Sequence, residues 1–280
     1  MKFEPVSNCF ISCDKPFDTA ENIIMGVPYD GTCSFRPGSR FAPDAIRSAS
    51  YGIETYSPML DADLENMKNC DIGDLELSFG NKKNILSVIE SAALEVFNSG
   101  KRLISFGGEH LVTLPLFHAL SVSLKTKDIC VIHLDAHADL RDDYMGERLS
   151  HATVIRRISE ITGMANIFQY GIRSGTKEEF DLIKKEGTMI TPFADLADAI
   201  GGRPVYLTID LDVLDPSGFP GTGTPEPGGW QFIEIYSILR AIKNLNVKAA
   251  DVVELSPHYD HSGVSTVTAS KVVRELLLSL

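Results

Sequence analysis

Ile129-Cys-Val-Ile-His-Leu-Asp-Ala-His-Ala-Asp139 is the stretch from which the rest of the chain can be read. Its first half is a short apolar run of the kind that makes a strand buried on both faces. Its second half sets Asp135, His137 and Asp139 at alternate positions. The strand period of two therefore points these three side chains one way and Leu134, Ala136 and Ala138 the other. Two further apolar runs end alike, in Phe106-Gly-Gly-Glu-His110 and in Ile209-Asp-Leu-Asp212. Charged groups at the ends of apolar strands are costly to bury unless paired or ligated. Their repetition on three strands points to a cation site at one edge of a sheet.

Working outward, short apolar runs alternate with amphipathic, helix-length segments from about residue 22 to the end. Strands are expected at Ile23–Val27, Arg102–Phe106, Ile129–Asp135, Ile167–Tyr170, Val205–Leu211 and Lys248–Glu254, with weaker ones near Asp71 and Met189. Helix-spaced apolar positions fall at Asn84–Asn98, Leu114–Leu124, His151–Ile161, Lys177–Lys185, Gln231–Lys243 and Val264–Leu278. This alternation predicts an α/β fold, with a mostly parallel sheet of about eight strands covered by helices on both faces. Such sheets bind ligands at the carboxyl ends of their strands, where every cluster falls. No linker or composition shift divides the chain, so one domain over residues 1–280 is expected. The Gly/Pro-rich segment 218–229 is either a structured loop or a mobile one.

His110, Asp135, His137, Asp139, Asp210 and Asp212 make six candidate ligands. A single catalytic zinc usually keeps about three protein ligands plus water, so six suit two divalent cations sharing carboxylates, and metal-assisted hydrolysis is the chemistry such a pair performs. Imidazole and carboxylate donors without thiolate favour Mn²⁺, with Zn²⁺, Co²⁺ and Fe²⁺ as the other candidates. His133 lies on the same strand face but farther in, and reads as a buried, hydrogen-bonded histidine rather than a seventh ligand. His151 opens a predicted helix after Ser150. By spacing alone it is equally a first-turn residue beside a capping serine or a proton donor hanging over the metals. Glu254 ends its strand at the ligand edge, where a carboxylate can either grip a guanidinium with two hydrogen bonds or pair with a lysine.

The 280 residues include 44% hydrophobic side chains and carry a formal charge of −12, with no apolar run long enough to span a bilayer. That charge disfavours nucleic acid, which demands basic patches, and suits a small cation better, although a negative surface also serves solubility alone. Five cysteines without paired spacing, and a start that lacks an apolar leader, fit a reduced, cytoplasmic protein. Cys130, inside its apolar strand, reads as core packing.

Taken together, the motifs resemble the ureohydrolase family of arginases and agmatinases. They are Gly-Val-Pro-Tyr-Asp-Gly and Phe-Arg-Pro-Gly-Ser-Arg-Phe-Ala-Pro-Asp-Ala-Ile-Arg within 26–47, the three ligand clusters, Pro-Gly-Thr-Gly-Thr-Pro-Glu-Pro-Gly-Gly at 220–229, and Asp-Val-Val-Glu-Leu-Ser-Pro at 251–257. The resemblance implies a three-layer α/β/α sandwich, two Mn²⁺ per subunit and a trimer or hexamer. It implies that His110, Asp135, Asp139 and Asp210 hold one ion and Asp135, His137, Asp210 and Asp212 the other, with Asp135 and Asp210 bridging. Asp139 would orient a hydroxide generated at the metals, Glu254 would hold the guanidinium, and His151 would protonate the departing nitrogen. The products would be urea and an amine.

The substrate's tail is less defined. Arginases place an Asn two residues past the last Asp of the central motif to bind the α-carboxylate, whereas here Leu140-Arg141-Asp142-Asp143 follows Asp139. Asp142, Asp143 or Glu226 could attract the distal ammonium of agmatine, or simply be solvated surface acids, while Arg141 could pair with the carboxylate of guanidinobutyrate or arginine. Leu-Ser-His-Ala-Thr-Val-Ile-Arg-Arg (149–157) resembles bacterial and archaeal agmatinases, including relatives preferring aminopropyl-agmatine. Agmatine, cleaved to putrescine and urea in polyamine biosynthesis, is thus the expected substrate. A metallophosphoesterase is disfavoured by the lack of an Asn-His pair and of a basic pocket, and a non-catalytic relative by the intact ligand set.

Overall fold

The structure is a computed structural model and describes residues 3–4, 8–78, 80–189 and 193–280. Seven parallel strands make the sheet: β2 (Asn22–Gly26), β3 (Asn69–Leu75), β4 (Arg102–Phe106), β5 (Cys130–Leu134), β6 (Ile167–Tyr170), β7 (Val205–Asp210) and β8 (Val247–Val253). A two-residue strand β1 (Phe3–Glu4) runs antiparallel along one edge against β3. The spatial order is β1-β3-β2-β4-β8-β7-β5-β6. The strands carrying His110, Glu254, Asp210 and Asp135, namely β4, β8, β7 and β5, are therefore consecutive and end at the same edge. The sheet thus brings together residues that lie far apart in sequence.

Burial follows the pleat. Ile24, Ile104, Ile132 and Leu207 point into one core, packed under the helices α1 (Ala42–Ser50), α6 (Leu196–Ile200), α7 (Phe232–Ile242) and α8 (Val264–Ser279). Ile23, Leu103, Val131 and Tyr206 point into the other, under α2 (Lys82–Asn98), α3 (Thr113–Leu124), α4 (Val154–Thr162) and α5 (Lys177–Glu186). The result is the three-layer α/β/α sandwich expected, with apolar area removed from water on both faces of the sheet. Cys130 is fully buried in the first core, and all five cysteines are free. No helix among the described residues is long and apolar enough to cross a membrane.

Every strong strand expected from the sequence is present within a residue or so at each end, and the weak one near Asp71 is β3. Near Met189 there is a single bridge to Gln169 rather than a strand, and 190–192 lie outside the described residues. The helix expected from His151 begins as a 3-10 turn, His151–Thr153, with Ser150 as its cap, and becomes α-helical at Val154. Helix α1 was not anticipated, although Pro43 in its first turn is a helix-start signal. Its Arg47 is buried against Asp71 and Asp74 of β3 and fastens this helix to the sheet edge.

Candidate metal centre

Each site residue is delivered by a turn that the local sequence dictates. Asp210 closes β7, and its Oδ1 accepts the Asp212 backbone N–H at 2.9 Å, so the 3-10 turn Leu211–Val213 folds Asp212 back to the same edge. After β4, Gly108 passes so close to Tyr29 that a Cβ would lie 1.7 Å from the Tyr29 carbonyl oxygen, which only glycine permits. That passage aims Glu109 and His110 into the site. Among the described residues, Asp139 and Glu254 are two of six non-glycine residues at positive φ, 52° and 65°, so both are held in a conformation that costs about 1–3 kcal/mol.

The six candidate ligands meet in two groups. His110 Nδ1 lies 3.1 Å from Asp135 Oδ2, 3.1 Å from Asp139 Oδ2 and 3.3 Å from Asp210 Oδ2. His137 Nδ1 lies 2.9 Å from Asp212 Oδ2 and 3.5 Å from Asp135 Oδ1. Asp135 thus faces both imidazoles. Five of the six are buried, and His137 is partly exposed.

The donor chemistry fits divalent cations. The His110 ring bonds through Nε2 to Thr208 Oγ1 at 2.9 Å, while the Thr208 hydroxyl donates to Asp251 Oδ1 at 2.6 Å. Nε2 must therefore carry hydrogen and donate, and Nδ1 is turned to three carboxylates. Yet Nδ1 is fully buried and makes no directed hydrogen bond to any of them. A cation among these atoms satisfies all four at once. The titration behaviour agrees. Burial, then the Asp135 charge, pushes Asp139 up to about 7, and burial with Asp212 and Asp135 drives Asp210 well above the carboxylate range. Against its burial, the surrounding carboxylates push His110 well above the usual imidazole value. The cluster carries more negative charge than its own residues can balance.

Beneath it lies a polar layer of which the sequence indicated only His133, read as a buried, hydrogen-bonded histidine. Thr188 donates to Gln169 Oε1 (2.8 Å), and the Gln169 amide donates to His133 Nδ1 (3.1 Å) and the Ala138 carbonyl (3.0 Å). His133 Nε2–H can then only donate to Asp135 Oδ2, at 2.8 Å. Burial keeps this imidazole below its ordinary pKa, so it orients Asp135 as a neutral donor. Tyr206 likewise bonds Asp251, at 2.5 Å.

Over the metal edge opens a cavity of about 190 Å³ lined by His110, His137, Asp139, Asp210, Asp212, Glu254 and His151, and also by Ser34, Arg141 and Tyr144. Glu254 Oε1 accepts the His110 backbone N–H at 2.8 Å, and burial, then the Glu109 charge, raises its pKa well above the usual carboxylate range. Burial, then the charges of His110 and His137, lowers His151 to about 4. Glu109, fully buried, is pushed up to about 7 by burial and accepts two hydrogen bonds from Thr32.

The three acidic residues suggested for the substrate tail are not brought to the cavity. Asp142 is exposed and paired with Arg148 and Arg157, and Asp143 is exposed with its Oδ1 on the Gly146 N–H. Glu226 contributes its backbone carbonyl to Arg173. Arg141 does line the cavity, stacked on Tyr144 (4.7 Å) and 3.4 Å from the buried Glu179 carboxylate. The 218–229 loop is structured. Arg173 donates to the carbonyls of Asp212, Val213 and Glu226, and Thr224 Oγ1 lies 3.2 Å from Asp212 Oδ2.

Fold and site together define a three-layer α/β/α protein with a buried His–Asp centre built for divalent cations. The chain belongs to the Arginase family, whose sequence model matches residues 20–279, and it is a ureohydrolase. An agmatinase from Bacillus anthracis is 47% identical over 277 residues, covering 96% of this chain and 95% of the relative. A guanidinobutyrase from Pseudomonas aeruginosa is 32% identical, covering 94% and 87%. The crystal structure of an agmatine ureohydrolase from Thermoplasma volcanium superposes with a TM-score of 0.86 at 32% identity, covering 98% of this chain and 94% of that one.

Proposed function

We propose that this protein is a dinuclear manganese hydrolase that cleaves the guanidinium group of agmatine to putrescine and urea, a step of polyamine biosynthesis. The observation that carries the reading is the convergence of six imidazole and carboxylate ligands at one strand edge, five of them lining the same cavity as Glu254 and His151 while Asp135 lies buried behind them. In this assignment His110, Asp135, Asp139 and Asp210 hold one ion, and Asp135, His137, Asp210 and Asp212 the other. Bound there, the ions would lower the pKa of a shared water and supply the nucleophile near neutral pH.

The chain's own residues do the rest. Glu254 has one oxygen on the His110 N–H and the other free for two guanidinium nitrogens, and a cationic substrate offsets the burial that disfavours its charge. Asp139 orients the attacking oxygen at the guanidinium carbon. An amide anion is far too basic to leave, so the departing nitrogen needs a proton as the C–N bond breaks. His151 starts neutral at physiological pH, so it acts as a shuttle that first takes a proton and then hands it on. The same reading takes residues 1–280 as one domain, working in the cytoplasm as a trimer or hexamer.

A tail carboxylate, as in guanidinobutyrate, would need a free cation at the mouth. Arg141 is the candidate, but the buried Glu179 already balances it. This favours agmatine or aminopropyl-agmatine. The test is urea release by Mn²⁺-loaded protein from agmatine, aminopropyl-agmatine, guanidinobutyrate and arginine at equal concentrations. Preference for either amine-tailed guanidine is expected. Preference for a carboxylate-tailed one would transfer the tail contact to Arg141, and no urea from any would refute the substrate class.

A further inference from the structure

We propose that Thr32 and Glu109 are positioning residues that hold His151 as its Nδ1–H tautomer and so leave Nε2 to carry the proton. This rests on the shuttle role given to His151 above. The Glu109 carboxylate accepts two donors from one residue, the Thr32 N–H on Oε2 at 2.7 Å and the Thr32 hydroxyl on Oε1 at 2.5 Å. The ionised form of Glu109 accepts both donors, and the tautomer assignment that follows is for that form, above the value near 7 to which burial raises this carboxyl.

A hydroxyl has one proton and two lone pairs. With its proton committed to Glu109, Thr32 Oγ1 can only accept from elsewhere. Both partners it meets belong to His151: the backbone N–H at 3.1 Å and ring Nδ1 at 3.3 Å. Towards Thr32, Nδ1 can therefore act only as the donor, which is the Nδ1–H tautomer. Nε2 is left with its lone pair towards the cavity, where Ser34 Oγ stands at 3.4 Å. The molecule uses the same carboxylate–threonine–histidine arrangement on Asp251, Thr208 and His110, there gripping Nε2 and turning Nδ1 to the carboxylates. The two histidines are thus set in opposite tautomers, each exposing the nitrogen that its task requires. One competitor is present: Ser150 Oγ lies 3.4 Å from His151 Nδ1 and could donate to it, which would reverse the tautomer.

In turnover, Nε2 takes the O–H proton that the attacking oxygen must shed to become the urea carbonyl, and the imidazolium shares its Nδ1–H with Thr32 against the Glu109 charge. As the C–N bond breaks, its electron pair goes to nitrogen, which takes the Nε2 proton and returns His151 to the neutral Nδ1–H form.

The experiment uses the Mn²⁺-loaded enzyme with agmatine for kinetics, and ¹⁵N-histidine-labelled, Zn²⁺-loaded protein for imidazole NMR, His151 being assigned by loss of its signals in His151→Ala. Thr32→Val is expected to lower kcat roughly 10- to 100-fold, with KM within about twofold and metal content unchanged. Thr32→Ser, which keeps the hydroxyl, should recover most of kcat, and Thr32→Val added to His151→Ala should cost nothing further. The spectrum should show Nδ1–H in the wild type and lose that preference in Thr32→Val. Glu109→Gln should behave as Thr32→Val and serves if that variant does not fold. An Nε2–H signal in the wild type, or an unchanged tautomer in Thr32→Val, overturns the proposal even where activity falls. Full turnover by His151→Ala also overturns it, but by removing the shuttle; the spectrum tells the two failures apart.

Discussion

At the scale of single residues, the site is made of groups held where they would not otherwise sit. Asp139 and Glu254 occupy positive φ, and Glu254 is buried beyond ordinary carboxylate behaviour. Such strain persists because neighbours over-determine it: the Glu254 N–H donates to the Gly108 carbonyl (2.9 Å) while its side chain takes the His110 N–H. If Glu254 grips the guanidinium, Glu254→Gln keeps the shape but removes one charge-assisted acceptor. We expect kcat/KM for agmatine to fall about 100-fold or more, with two metal ions still bound. Steady-state kinetics paired with metal analysis checks this, and unaltered kinetics with full metal would remove Glu254 from the substrate site. The same measurement on Asp143→Ala should give kcat/KM within about twofold of wild type, because that side chain faces solvent rather than the cavity.

At the scale of elements, what was legible was whatever local pattern controls. The apolar runs and their period of two gave the strands, and the ligand triplet on Asp135, His137 and Asp139 needed only that period. The helix at Ala42–Ser50 and the two-residue edge strand were missed because their apolar signal is short, although Pro43 could have flagged the helix. The supporting layer was illegible for another reason. Thr32 meets Glu109 and His151, and Thr208 meets His110 and Asp251, across long sequence separations that only the sheet order closes. At Asp142, where a tail contact and plain solvation were equally open from the sequence, the side chain follows Asp139 closely yet turns outward to Arg148 and Arg157. The loop 218–229 shows a further element-scale dependence: Arg173, from the turn after β6, holds the Glu226 carbonyl, beside Arg36 on the Thr222 carbonyl and the Asp215 carboxylate on the Gly228 and Gly229 N–H groups. Arg173→Ala strands the carbonyls of Asp212 and Glu226, while Val213 keeps the Trp230 N–H, so we expect a loss of roughly 2–4 kcal/mol and faster proteolytic nicking within the loop. Limited proteolysis followed by mass mapping decides it; cleavage at the wild-type rate would show that other contacts suffice.

At the scale of the whole molecule, the metal centre couples the fold to pH. Four consecutive strands end in one cluster, so charge there loads the centre of the sheet. Asp139, ordinarily near 4, is pushed up to about 7 in the folded, metal-free protein. Between those values the folded state holds a proton that the unfolded chain has released, so this group's contribution to stability falls as pH rises through the window. A divalent cation takes the place of that proton and binds only the ionised ligand. Stabilisation by metal should therefore grow as pH rises from about 5 to about 7.5. Thermal unfolding with Mn²⁺ and with chelator at both pH values should show a Tm gain several degrees larger at the higher one. Asp139→Asn, which cannot ionise, should lose much of that pH dependence while keeping the fold. An equal Tm gain at both pH values would mean that the ligands are already ionised without metal, and would break the link between the cluster's excess negative charge and its cation.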